Sequence, residues 1–593
     1  MVRPVTAKVS PAPVASDWTS APAETVGDAV VAALAAGGVD HVFFTSGSEI
    51  AFLQESIAKA HALGLPSPRL ISVPHEHPSL TAALGYAAVS GRPVMTAAHV
   101  DAGTLAYGGA ISTAAHSGLP IILSAGIPPT AYAGSMPGGR DEGGHLWVQE
   151  TFDQHGIVRN YVKWDHRLGY QDNPGMVVSR AIQVARTEPA GPVYLTFPKE
   201  LMLRGVDGAR FPSADQLGVP RPAAVEPAAA RDIALRLVAA ERPVIVVGRS
   251  GRNATTVPAL VDLAELLGAA VVEGAKRSYL SFPMNHPLAQ PAAALREADA
   301  VLVLDAAVPW IPGRDAPPAG AWVAVVGHDP IMSRIPTYEF TADLRATADP
   351  GSAIEAIAEA ARSLLRPADR ERVASRAAAL AAASAARRTG LVAEAEALAA
   401  RRPMSPVWVS YQVGRLMDER SLVLDDTLYG PRTRDFLTAS LPGSYIGNPG
   451  SSGGWATGAA FGAKLAAPQR DVIALTGDGF YMFGTPAPGL LAASHYGAPF
   501  MVVVYTNRSY TTGTTRVAAA YGRDGFAARA GFEGGYFDPP IDFAAEATAA
   551  GAYGETVRDP AEVGPALRRG LEEVRGGRCA VVSMWLQRLE AED

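Results

Sequence analysis

The sequence predicts an α/β fold of three doubly wound parallel-sheet domains. Three observations carry that expectation. From residue 22 onward, short apolar runs alternate with segments of helical spacing, the βαβα pattern of an open parallel sheet. The runs are apolar throughout rather than alternating, as strands covered on both faces require. The alternation is interrupted twice, by a Pro-, Gly- and Ala-rich stretch at 201–227 and by an Ala/Arg-rich helical stretch at 366–403. The expected layout is therefore an N-terminal arm (1–21), a first domain (22–200), a linker (201–227), a central domain (228–365), a helical connector (366–403) and a last domain (404–593). At 593 residues the chain exceeds what one core organises, which agrees with several domains.

Composition narrows the function classes. A hydrophobic share of 48% with 18% charged residues is that of a soluble globular protein. Net charge of −7 leaves no basic footprint, so nucleic acid is not an expected partner. The single cysteine, Cys579, excludes an intramolecular disulfide and any Cys-based metal cluster. No uncharged apolar run reaches the roughly 18 residues of a membrane helix. The first twenty residues lack the continuous apolar core of a secretory signal, so a cytoplasmic location is expected.

In the first domain, a helical pattern from Thr25 ends at Gly37-Gly38, and the run Val42 to Phe44 breaks at Ser46-Gly47-Ser48 before a second helix. A strand from Arg69 to Val73 enters Pro74-His75-Glu76-His77-Pro78 and a small-residue helix. Glu76 thus stands at a strand-to-helix junction, where a carboxylate favours the helix N-terminus. The strand Pro93 to Ala98 ends at His99, where an imidazole can reach a substrate as acid or base. Helix (Gly103 to Ala115), strand (Pro120 to Ala125), helix (Gly175 to Arg186) and strand (Pro192 to Phe197) complete the domain.

The central domain reads as a helix from Ala228 to Ala240, a strand ending in Gly248, a helix from Thr255 to Leu267, and runs at Ala269 to Glu273, Ala300 to Leu304 and Trp322 to Val326. Its GRSG turn is not GxGxxG, so no dinucleotide follows from it.

In the last domain a strand runs into Asp425-Asp426-Thr427, and a glycine-rich turn, Gly447 to Trp455, opens a helix from Ala456 to Leu465. The run Val472 to Leu475 stops at Gly477-Asp478-Gly479, and Phe500 to Tyr505 stops at Thr506-Asn507. Parallel strands deliver their carboxyl ends to one crevice, so Asp478 and Asn507 can meet. One carboxylate and one amide oxygen suit Mg²⁺, which takes its remaining oxygens from water and a phosphate ligand. The glycines allow backbone N–H groups to approach that phosphate. The segment after Asn507, rich in Gly, Tyr and Phe and low in regular pattern, is a candidate lid.

The stretch Asp471 to Tyr510 resembles the diphosphate-binding signature of thiamine-diphosphate (ThDP) enzymes, GDG followed by an Asn-containing turn. PHEHPSLTAALGYAAVSGRP resembles the catalytic-glutamate segment of the acetolactate-synthase-like group, which includes 2-hydroxyacyl-CoA lyases. The resemblance implies three domains, pyrimidine-binding, central and diphosphate-binding, in that order. It implies ThDP and Mg²⁺ as cofactors, with Asp478, Asn507 and the carbonyl of Ser509 as metal ligands. Thr427, Leu428, Tyr429, Ser451, Ser452, Gly453, Gly477, Gly479 and Phe480 fall where the family contacts the cofactor, and Glu76 where it bonds the aminopyrimidine. Where the family carries a TSGPG-type turn this chain has the segment Ala98 to Thr104, and His99 within it is the candidate substrate acid/base. The chain departs from the family at Thr506, where Asn is usual, in a slightly longer insert, and at Gly453, where a bulky apolar residue usually bends the cofactor. The central domain lacks the family's flavin motifs, so FAD is not expected.

The chemistry implied is cleavage or formation of a C–C bond beside a carbonyl through a C2 carbanion and an enamine. An acetolactate-synthase-like lyase or carboligase is the leading expectation. A 2-hydroxyacyl-CoA lyase, a 2-oxoacid decarboxylase and a non-catalytic nucleotide-binding α/β protein are the alternatives. Substrates are expected among 2-oxoacids, hydroxyketones and acyl-CoA-type molecules. The resemblance also implies a homodimer or homotetramer with active sites between subunits.

Overall fold

The computed structural model describes residues 18–141, 143–276, 278–427 and 432–588. The chain packs as two compact units. The first comprises Met1–Ser72, Arg92–Ala106 and Pro120–Pro220, and the second Val73–Gly91, Tyr107–Leu119 and Arg221–Asp593.

The first unit is built on a six-stranded sheet: β1 (His41–Phe44), β2 (Arg69–Ser72), β3 (Val94–Ala98), β4 (Ile121–Ile127), β5 (Asp165–Arg167) and β6 (Val193–Pro198). Their order is β2-β1-β3-β4-β6-β5, and every pairing is parallel. From β1 the chain moves to one side and from β3 to the other, which opens a crevice at the carboxyl ends of β1 and β3. The helix Val26–Ala36 begins in a capping box between Thr25 and Asp28 and buries Val30 and Leu34 with Phe44, Phe197 and Phe211. Thr19–Ala21 pairs antiparallel with Ala209–Phe211. These three-residue strands fall in stretches read as arm and linker, because so short a pair leaves no periodic signal.

The second unit holds two further six-stranded sheets. The central one contains β7 (Pro243–Val247), β8 (Ala270–Glu273), β9 (Ala289–Gln290), β10 (Ala300–Leu304), β11 (Trp322–Gly327) and β12 (Leu344–Thr347), in the order β9-β8-β7-β10-β11-β12. An ion pair between Arg249 and Asp305, 2.9 Å, spans its switch point between β7 and β10. The third contains β13 (Ser421–Asp426), β14 (Tyr445–Gly447), β15 (Asp471–Gly477), β16 (Met501–Thr506), β17 (Tyr553–Val557) and β18 (Ala580–Trp585), in the order β14-β13-β15-β16-β18-β17. Its switch point lies between β13 and β15. The helical stretch between these sheets forms two helices, Pro350–Leu364 and Pro367–Ala397.

Two helices from the first third of the chain belong to this second unit: α1 (Glu76–Ser90) and α2 (Ala110–Ser117). The single helix expected from Gly103 to Ala115 is in fact divided, because Gly108, at φ +52°, turns the chain before α2 begins. α1 is buried on every face from His77 to Ala87 and is mostly apolar there, as a buried helix must be. It lies against α3 (Trp455–Ala466), and the contact is made of small residues. A Cβ on Gly85 would stand 2.0 Å from the carbonyl oxygen of Ala459, and one on Gly458 2.0 Å from the Thr81 hydroxyl.

After Asn507 the irregular segment expected from composition contains a helix, α5 (Thr511–Tyr521), which follows the short α4 (Asp478–Phe483) in chain order. Its Ala and Arg residues are good helix formers. Gly513 and the four threonines hide the period.

Candidate active site

β15 and β16 are parallel neighbours with Gly477 opposite Tyr505, so both end at one edge of the sheet. Asp478, at the start of α4, is 2% exposed. Its carboxylate accepts from the N–H groups of Gly479 at 2.8 Å and Arg508 at 2.5 Å. Burial pushes its pKa up to about 6 even though these N–H groups favour the ionised form. The Asn507 turn is built on its own side chain: Oδ1 accepts from the Ser509 N–H at 3.0 Å and Nδ2 donates to Thr511 Oγ1 at 2.7 Å. Arg508 joins the two loops. Its backbone stands at φ +59°, while its guanidinium lies 4.2 Å from the Trp585 ring.

Sequence reasoning missed Asp426, the last residue of β13. It is 1% exposed and accepts from the N–H groups of Gly454 at 3.0 Å, Trp455 at 2.9 Å and Ala456 at 3.4 Å, and from Asn448 Nδ2 at 2.7 Å. Burial raises its pKa to about 7 against those donors. The first N–H groups of α3 therefore point at this carboxylate. The N-terminus of α3 is thus occupied by a side chain of this chain. The only sequence signal was a pair of aspartates closing an apolar strand.

Gly453 makes room for a neighbour. A Cβ there would stand 2.1 Å from the ring of Phe480, so the space that a side chain at 453 would take is filled by Phe480 from α4. Trp455 is 1% exposed, in the core of the unit. Ser452 bonds Asn448 Nδ2 through its carbonyl at 2.7 Å, whereas Ser451 is exposed. Thr427 is buried and donates to Asp425 Oδ1 at 2.7 Å. Leu428 and Tyr429 lie outside the described residues.

Glu76 is half-buried and opens α1, whose N-cap is His75. The next residue, His77, meets Phe483 edge-on with ring centroids 5.9 Å apart. Phe483 is the last residue of α4, the helix that Asp478 begins. The packing of α1 on α3 thus places the start of α1 beside the end of α4 in one chain.

His99 follows β3, at the crevice of the first unit. It forms an ion pair with Glu49, whose side chain is fully buried. Glu49 also accepts from Ser48 Oγ at 2.8 Å and Gln149 Nε2 at 3.0 Å. Burial works to raise the Glu49 pKa, but His99, Ser48 and Gln149 together hold it down to about 2. Sequence reasoning did not single out Glu49, which follows the Ser46-Gly47-Ser48 break. Its pairing depends on the strand order, which brings the ends of β1 and β3 together.

Among the described residues no three His, Cys, Asp or Glu side chains cluster as a metal site. The set that fits a dication is the mixed one: the buried Asp478 carboxylate, the Asn507 amide and the backbone of its turn. A carboxylate whose pKa burial has raised is a group that a hard cation would restore to its charged form.

Two family models match the chain: the N-terminal TPP binding domain of thiamine pyrophosphate enzymes over residues 24–157, and the C-terminal TPP binding domain over residues 432–584. The chain is 27% identical to a benzoylformate decarboxylase of Pseudomonas aeruginosa, across 82% of this chain and 87% of the relative. It is 27% identical to a sulfoacetaldehyde acetyltransferase of Rhodobacter capsulatus, across 94% and 93%. It is 26% identical to a probable acetolactate synthase of Mycobacterium bovis, across 93% and 94%. A ThDP-dependent 4-hydroxybenzoylformate decarboxylase from Rhodococcus jostii RHA1 shares the fold, with TM-score 0.74 and 22% identity over 96% of this chain and all of that one.

Proposed function

We propose, given that this chain belongs to the thiamine pyrophosphate enzyme family, that it cleaves or forms a C–C bond beside a carbonyl, as a lyase or carboligase acting on a 2-oxoacid or hydroxyketone. One observation carries the reading: a buried Asp478 and the Asn507 turn meet at the edge of the third sheet, tied together by the Arg508 N–H.

Asp478, the Asn507 side chain and the Ser509 carbonyl would hold Mg²⁺. Thr427, Ser451, Ser452, Gly453, Gly477, Gly479 and Phe480 would line the diphosphate and rings of the cofactor, with Phe480 providing the bulk beside Gly453. When bound, ThDP supplies a carbon that attacks the substrate carbonyl and accepts the electron pair of the cleaved bond. Glu76 would hold the proton at the aminopyrimidine N1′, and His99 would exchange a proton with the substrate.

Association of chains is part of the proposal, as a homodimer or homotetramer with active sites between subunits. Large apolar side chains are left uncovered on both units: Tyr132, Val148 and Phe152 on the first, Tyr521 and Phe526 on the second. Burying side chains of this size is what an association surface would do.

Release of the cleaved fragment by protonation, a 2-oxoacid decarboxylase reaction, is the second reading. The Glu49–His99 pair favours it, because a carboxylate-held imidazole at a strand end is suited to proton delivery.

Calorimetry of the apoprotein with Mg²⁺ and ThDP tests the assignment, followed by turnover assays on 2-oxoacids and 2-hydroxyacyl-CoA thioesters. Metal-dependent uptake that D478N abolishes is expected. No uptake by the wild type would end the reading.

A further inference from the structure

Taking His99 as the acid/base of the proposed reaction, we propose that Glu49 is a positioning residue that locks the His99 ring by Nε2, so that Nδ1 is the nitrogen presented to substrate.

Three edges of the imidazole are accounted for. Nε2 faces the Glu49 carboxylate, with Ser48 Oγ behind it at 3.4 Å. The Cδ2 edge is closed by the loop after β1: a Cβ on Gly47 would stand 2.4 Å from Cδ2 and 2.7 Å from Cγ. The remaining edge, Nδ1 and Cε1, belongs to a side chain that keeps 29% of its surface exposed, while Glu49 keeps none. A carboxylate accepts only, so the Nε2 it faces carries the proton, and Nδ1 gains or loses the second one.

The carboxylate is itself fixed. Ser48 and Gln149 donate to its two oxygens. From β4, a Cβ on Gly126 would lie 2.5 Å from the Glu49 Cβ and 2.7 Å from the His99 carbonyl oxygen. Among the described residues, the groups that face the ring are one ionised carboxylate and one hydroxyl from the β1 loop. On its own element the neighbouring Asp101 is engaged with the Ala102 N–H at 2.7 Å. A buried carboxylate paired with an imidazole adds little to net stability, so orienting the ring is the use we assign to it.

The test uses the full chain with Mg²⁺ and ThDP, labelled with ¹⁵N-histidine, the His99 signals being assigned by their loss in H99Q. In the neutral ring, Nδ1 of His99 is expected to show the unprotonated shift and Nε2 the protonated one. In E49Q the preference should collapse to a mixture of tautomers, and E49D should restore it in part. Turnover of pyruvate and benzoylformate as probes should fall about tenfold or more in E49Q, with KM within about twofold and ThDP uptake unchanged. Loss of the Nε2 proton first, or an E49Q spectrum like that of the wild type, would overturn the proposal. Full activity of H99Q would instead remove the acid/base role of His99, and the tautomer measurement would still decide whether Glu49 orients the ring.

Discussion

A Cβ placed on Gly462 would stand 1.8 Å from the carbonyl oxygen of Ala82. The helix that begins with Glu76 and the helix behind the glycine turn are in backbone contact, and no side chain at 462 fits without separating them. G462V should therefore lower unfolding stability by about 1–3 kcal/mol, the usual cost of overpacking a tight contact. It should also shift α1 and reduce turnover while ThDP uptake persists. Thermal unfolding followed by circular dichroism, with calorimetry on the same sample, separates the two effects. An unchanged midpoint would show that the helices can move apart freely.

Replacing Glu76 by Gln keeps shape and removes the acid. Turnover of any accepted 2-oxoacid should fall by a factor on the order of 10² or more, the range of a lost proton-transfer group. Affinity for ThDP with Mg²⁺ should stay within a few-fold, because the residues proposed to hold the metal and the diphosphate lie on other elements. Equal loss of binding and turnover would make Glu76 a structural residue of the α1 N-terminus.

The legible parts of the site were those whose chemistry is local in sequence. Gly477-Asp478-Gly479 and Thr506-Asn507 each close an apolar run, and the structure ends β15 and β16 at those points. His99 was likewise readable as the residue after a strand. Its partner was not, because Glu49 reaches it only through the order β2-β1-β3, which a list of strands does not contain. Asp426 was hidden for the same reason: its four donors come from 448–456, on the far side of a strand and a turn. The helix Thr511–Tyr521 was lost to its own composition, since threonines and a glycine masked the helical period.

Arg508 sits in the left-handed region, at φ +59°, where an L side chain costs roughly 1 kcal/mol relative to glycine. The guanidinium offsets that strain by stacking on Trp585 and donating to the Leu586 carbonyl at 3.1 Å. R508A keeps the strain and loses the stack, whereas R508G loses both. R508G should thus be more stable than R508A by about 1 kcal/mol in urea unfolding. The reverse order would mean that the turn relaxes once the side chain is gone.

His77 supplies a pH dependence with a definite sign. It is 5% exposed, and burial, reinforced by the nearby His75, lowers its pKa from 6.5 to about 4. The folded state keeps the ring neutral while the unfolded chain takes up a proton below about 6.5. Stability from this group is therefore fully present above pH 6.5 and is lost as the pH falls through 4, by on the order of 3 kcal/mol at most. H77F retains an aromatic edge against Phe483 and cannot titrate. Urea midpoints at pH 7, 5.5 and 4.5 should fall less steeply for H77F than for the wild type. Parallel slopes would show that His77 is protonated in the folded state, which its burial opposes, since among the described residues no hydrogen-bond partner meets its Nδ1.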